Sequence, residues 1–111
     1  RGLGDVYKRQ LLMVVAYMEA NLEEPLSQTE LAEHAKLSTR QLERLFKKYM
    51  QITPTRHYLN LRLARARYFL RQTSMSILSV ALACGFISAS HFSKCYRETY
   101  GCTPRAERET N

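Results

Sequence analysis

Ser38-Thr39-Arg40-Gln41-Leu42-Glu43-Arg44-Leu45-Phe46-Lys47 is answered 50 residues later by Ser88-Ala89-Ser90-His91-Phe92-Ser93-Lys94-Cys95-Tyr96-Arg97. Each block runs on to a Thr-Pro pair, Thr53-Pro54 in the first and Thr103-Pro104 in the second. Upstream of each lies a short helical pattern, Leu31 to Leu37 and Val80 to Phe86, at an offset of 49. The second turn is therefore one residue longer than the first. Each half reads as a helix, a tight turn and a basic second helix. The pair reads as two helix-turn-helix units.

The rest of the chain fits this repeat. Leu11, Val14, Val15, Met18 and Leu22 recur at helical spacing, which predicts a first helix from about Val6 to Leu22. Glu23-Glu24-Pro25 ends it. Ser27-Gln28-Thr29-Glu30 has the form of a capping box, in which the Ser oxygen accepts from the Glu amide and the Glu side chain reaches back. It opens a second helix to about Ala35. Ser38 with Gln41 forms another box. The helix that follows carries Leu42, Leu45, Phe46 and Tyr49 on a core stripe and turns Thr39, Arg40, Glu43, Arg44 and Lys47 away from it.

Thr53 as N-cap and Pro54 at the first helical position predict a linking helix to about Arg71, with Leu59, Leu63, Ala66 and Leu70 as its seam. Ser76 caps a fifth helix through Cys84, and Gly85 supplies the left-handed residue that ends it. Ser88 opens the last long helix, with Phe92, Cys95, Tyr96 and Tyr100 inside and Ser90, Ser93, Lys94 and Arg97 outside. Gly101 stops it. The polar segment after Pro104 reads as a fraying tail. The expected organisation is all-α. Residues 1–10 are a disordered end or a sequencing artefact, 11–52 the first helix-turn-helix subdomain and 53–72 the linker helix. Residues 73–104 form the second subdomain and 105–111 the tail.

Composition narrows the function. A net charge of +7 in 111 residues, with a pI near 9.6, points to an anionic partner. The basic residues are spread over several helices rather than bunched beside a hydrophobic anchor, and no apolar run approaches the ~18–20 residues of a membrane span, so no membrane is expected. Three cysteines, an odd number with no CxxC pair, suit a reducing cytoplasm and small core roles. His34, His57 and His91 form no metal-binding or catalytic pattern, and there is no Gly-rich phosphate loop. No catalytic residue, metal or cofactor is expected.

Double-stranded DNA is the partner that the two second helices fit. A helix-turn-helix lays its second helix in the major groove with its N-terminal residues against base edges. The expected DNA-binding residues of the first unit are Ser38, Thr39, Arg40, Glu43, Arg44 and Lys47. Those of the second are Ser88, Ala89, Ser90, His91, Ser93, Lys94 and Arg97. Arg40 and Arg44 can each pair bidentately with guanine, and Glu43 can accept from cytosine. Ser90 and Ser93 bond to several bases, Ala89 can touch a thymine methyl, and Lys94 can reach guanine or phosphate. Lys47, Lys48 and Arg97 hold phosphates. A linker helix of about 27 Å plus its flanking turns can match the ~34 Å between successive major grooves. The alternatives are a helical protein-interaction module, which leaves the basic faces unexplained, and a non-specific nucleic-acid binder.

The residues resemble the C-terminal DNA-binding domain of the AraC/XylS family of bacterial transcription regulators. The resemblance runs from about Leu11 to Pro104. It is carried by Leu37 to Phe46, by Ala81 to Arg97, and by Tyr100-Gly101 with Pro104. It implies seven helices, with a short one near Ser88, a monomer bridging two grooves, and recruitment of RNA polymerase by an activator. It also implies a missing N-terminal effector or dimerisation domain. Within the family the wording is similar to regulators with an N-terminal DJ-1/PfpI-like domain, which often control amino-acid or quaternary-amine catabolism. The chain departs from the family pattern in three places. Lys36 stands where the first turn usually has Gly, Cys95 replaces a commoner basic or bulky residue, and Glu107-Arg108 stands in place of an aromatic-Arg pair.

Overall fold

The computed structural model describes residues 2–110. Among them are seven helices and no strand: α1 Leu3–Ala20, α2 Gln28–His34, α3 Thr39–Met50, α4 Pro54–Gln72, α5 Ile77–Ala83, α6 Ala89–Tyr100 and α7 Pro104–Glu109. They divide into two compact units. The first comprises Arg1–Asn21 with Pro25–Leu59, the second Leu22–Glu24 with Asn60–Asn111. The linking helix α4 thus gives its first residues to one unit and the rest to the other.

In the first unit α1, α2 and α3 bury Leu11, Val14, Met18, Leu31, Leu42 and Phe46. Full burial of such side chains contributes about 1.5–3 kcal/mol each. Both capping boxes form. Ser27 Oγ accepts from Glu30 N at 3.1 Å, and Ser38 Oγ accepts from Gln41 N at 3.1 Å, with the partner side chains reaching back at 2.9 Å in each. At the start of α4, Thr53 Oγ1 accepts from Arg56 N at 3.1 Å. The buried Tyr58 hydroxyl accepts from Leu26 N and donates to the Asn21 carbonyl, pinning the stretch between α1 and α2.

In the second unit α4, α5 and α6 bury Leu63, Ala66, Leu70, Val80, Phe92 and Tyr96. Ser76 and Ser88 cap α5 and α6 by accepting from Ser79 N and His91 N. Thr103 repeats the Thr53 cap, accepting from Ala106 N at 3.1 Å with Pro104 at the first position of α7.

Three expectations need correction. The first helix begins at Leu3, not Val6, and ends at Ala20, so residues 3–10 are helical and Leu22 lies beyond the helix. The two early glycines disguise the helix without preventing it. Near Ser88 the backbone is extended, and the short seventh helix is α7. The segment after Pro104 is this helix rather than a fraying tail. It is held by Glu107, which is only 4% exposed. Glu107 accepts from the Tyr96 hydroxyl at 2.7 Å and pairs with Arg71 at 2.9 Å and Arg67 at 3.2 Å. Next to it, the Arg108 guanidinium donates to the carbonyls of Leu70, Thr73 and Met75, which satisfies acceptors left open where α4 ends. The departure Glu107-Arg108 therefore builds a polar clamp on α4.

The two turns share one backbone. Lys36 N–H donates to Glu33 and Leu37 N–H to Ala32, and Gly85 and Phe86 donate in the same way to Leu82 and Ala81. This is the Schellman pattern, which needs a left-handed residue after the helix. Gly85 adopts it at φ 86°, and Lys36 is forced into it at φ 58°. A left-handed non-glycine residue costs roughly 1–2 kcal/mol, partly offset by the smaller entropy of its unfolded chain. Lys36→Gly is therefore expected to stabilise the protein by about 0.5–1 kcal/mol. A higher denaturant midpoint at unchanged slope would register it, and a lower one would sink the idea.

Candidate nucleic-acid interface

The exposed face of α3 follows from its stripe. Leu42, Leu45 and Phe46 are buried, so the positions between them face solvent. Thr39, Arg40, Glu43, Arg44 and Lys47 are all exposed. Arg40, Arg44 and Lys47 enter no ion pair among the described residues, so their donors are available to a ligand. Lys47 and Lys48 lie in the last turn, where the helix dipole favours cations. Ser38 stands apart: its oxygen is engaged by the cap, which leaves its O–H to donate outward.

On α6, Phe92, Cys95 and Tyr96 face inward. Ser90, Lys94 and Arg97 are exposed, and Ala89 and Ser93 are half-buried. Ser93, Lys94 and Arg97 line one recess with Glu98 and Thr103. Ser88 is half-buried and caps the helix. His91 is exposed but leans inward, its ring 5.8 Å from that of Phe86 and its Nε2 3.7 Å from Cys95 Sγ. It is thus more a support than a donor on the outer row.

One positioning residue escaped the sequence reading. Arg62 of α4 donates from Nε to the Cys84 carbonyl at 2.9 Å and from Nη2 to the Gly85 carbonyl at 2.8 Å, with its guanidinium 4.2 Å from the centre of the Phe86 ring. It fixes the turn that aims α6. Nothing local marks it, since an arginine on a long helix reads as a solvent or phosphate contact. Cys84 beneath this turn is fully buried, and burial pushes its thiol up to about 11. It therefore stays protonated at neutral pH. Among the described residues no group of His, Cys, Asp and Glu could hold a metal ion, and no helix is long and apolar enough to cross a membrane.

The model of a helix-turn-helix domain family matches residues 31–110. A crystal structure of a transcriptional regulator from Chromobacterium violaceum, described as of the AraC-type DNA-binding domain-containing proteins, superposes with a TM-score of 0.89. It is 51% identical, over 93% of this chain and 92% of that one. The chain belongs to the AraC-type helix-turn-helix family. The DNA-binding domain of AdpA, crystallised in complex with a target DNA, has a TM-score of 0.85 at 29% identity, over 90% of each chain. The transcriptional regulator GbdR of Pseudomonas aeruginosa is 60% identical over 100 residues, 90% of this chain. The chain spans only 27% of that relative's length. The AraC-type assignment accounts for the two matching turns and for the outward rows on α3 and α6.

Proposed function

We propose that this domain reads duplex DNA with α3 and α6 in successive major grooves, as part of a longer bacterial transcription regulator. One observation carries the reading: two capped helices, on matching Schellman turns, each expose short polar and basic side chains along one face. Residues 11–52 and 73–104 are the two readers, joined by 53–72. Arg40, Glu43 and Arg44 choose bases in the first block. Ser90, Ser93 and Lys94 bind more permissively in the second, and Lys47 and Arg97 hold phosphates. Catalysis has no part in this role.

The regulator we infer acts in the cytoplasm and activates promoters by recruiting RNA polymerase. An effector or dimerisation domain precedes this segment. The family membership supports these assignments, and the small share of GbdR that the chain spans supports the further domain.

Selection from random duplexes tests the reading. An asymmetric site with two blocks about one helical turn apart is the expected product. With six or so phosphate contacts, affinity should fall on the order of 10³-fold between 50 and 200 mM salt. Salt-sensitive binding that enriches no sequence would overturn sequence-specific reading.

A further inference from the structure

The second turn holds one residue that the first lacks. In the first unit Leu37 closes the turn and directly precedes the cap Ser38. It is buried, and its N–H donates to the Ala32 carbonyl at 2.8 Å. In the second unit Phe86 does the same work, buried and donating to Ala81 at 2.9 Å. Ile87 is then inserted before the cap Ser88. Its side chain is 91% exposed, the most of any large apolar residue among those described. It adds nothing to the core, and it directly precedes the cap Ser88, two residues before Ala89, where α6 begins.

We propose that Ile87 is a further specificity-determining residue, which packs on the C5-methyl of a thymine at the edge of the second block. The inference rests on the two-groove reading above. Its reason is chemical: the thymine methyl is the apolar feature of the major-groove edge, and apolar side chains are what read it. The serines of α6 bond to many bases and discriminate little. A rigid β-branched side chain at the mouth of the helix supplies a preference they lack.

The test uses the duplex selected by the wild-type protein. Each thymine of the second block is replaced singly by deoxyuridine, which removes only the methyl group. At one position the wild-type Kd should rise about fourfold, the effect of one methyl-sized apolar contact. Ile87→Ala should show the same rise on the thymine duplex and no further rise on the deoxyuridine duplex. Its melting temperature should not change, because the residue is 91% exposed and outside the core.

Unaltered binding by Ile87→Ala would overturn the proposal. So would a second block without thymine, or equal sensitivity of both proteins to deoxyuridine. A loss that is identical on every duplex would mark packing on deoxyribose instead, and would also overturn it. If the wild type selects no site, the DNA reading fails. If it selects a two-block site and Ile87→Ala retains every preference, only the role of Ile87 fails.

Discussion

Replacing Glu107 with alanine should destabilise the second unit by about 3 kcal/mol, a fall in melting temperature on the order of 10–20 °C. The carboxylate is almost wholly buried and serves four partners, the Tyr96 hydroxyl, Arg67, Arg71 and, at 3.9 Å, the Cys102 thiol. Its removal leaves the hydroxyl of the fully buried Tyr96 without its acceptor, which costs about 1–3 kcal/mol. It also takes from the Arg67 and Arg71 guanidiniums the carboxylate they share. Their side chains are 40% exposed and regain some hydration, so the loss falls at the lower edge of what breaking a buried ion pair costs. Glu107→Gln keeps the shape and one acceptor, and should lose about 2 kcal/mol.

The same carboxylate makes stability depend on acid. Burial works to raise its pKa, but the Tyr96 hydroxyl, Arg71 and Arg67 together outweigh burial and hold it below the ordinary carboxylate value. A carboxyl lowered on folding contributes its full stability above its unfolded pKa. That contribution is lost as pH falls past the ordinary value and through the folded one. Melting temperature should therefore drop more steeply with acid in the wild type than in Glu107→Gln. Parallel acid limbs for the two proteins would refute the clamp as the source.

Arg44→Ala is the second large effect, on binding rather than folding. Arg44 is exposed on the α3 face, and a bidentate arginine-guanine contact is worth about 1–3 kcal/mol of discrimination. Affinity for the selected duplex should fall roughly thirtyfold, and the guanine preference should relax at one position of the first block. Binding to random duplex should change far less. Lys47→Ala, by contrast, should weaken all duplexes alike and reduce the salt slope by about one. An Arg44→Ala protein that loses affinity evenly across sequences would demote Arg44 to a phosphate contact.

What could be read from residue order was local. Ser27 with Glu30 and Ser38 with Gln41 are boxes closed within one turn of helix, and their bonds form as expected. The left-handed Lys36 and Gly85 are likewise short-range consequences of the chain. So are the outward rows on α3 and α6, because a 3.6-residue period and a buried stripe leave few choices for the remaining side chains. What escaped depended on distant partners. The Glu107 environment is assembled from Tyr96, Arg67 and Arg71, and Arg62 reaches the turn from another helix. A polar Pro-Arg-Ala-Glu-Arg segment looks like a tail until two arginines some forty residues earlier come to meet it. The early start of α1 was hidden for a simpler reason, since Gly2 and Gly4 weaken the helical signal.

The placement of the Glu107-Arg108 clamp bears on how the chain is made. A ribosome delivers the protein from its N-terminus, and the last residue of the first unit is Leu59. It can close while the remainder is still being translated. The second unit is completed last, because the carboxylate shared by Arg67 and Arg71 and the guanidinium that satisfies the end of α4 arrive with residues 107 and 108. A nascent chain halted just before α7 would carry one finished unit and one without its clamp, and should be more open to proteolysis. Premature stop codons in the last stretch of this domain should thus be nearly as damaging as those at its middle.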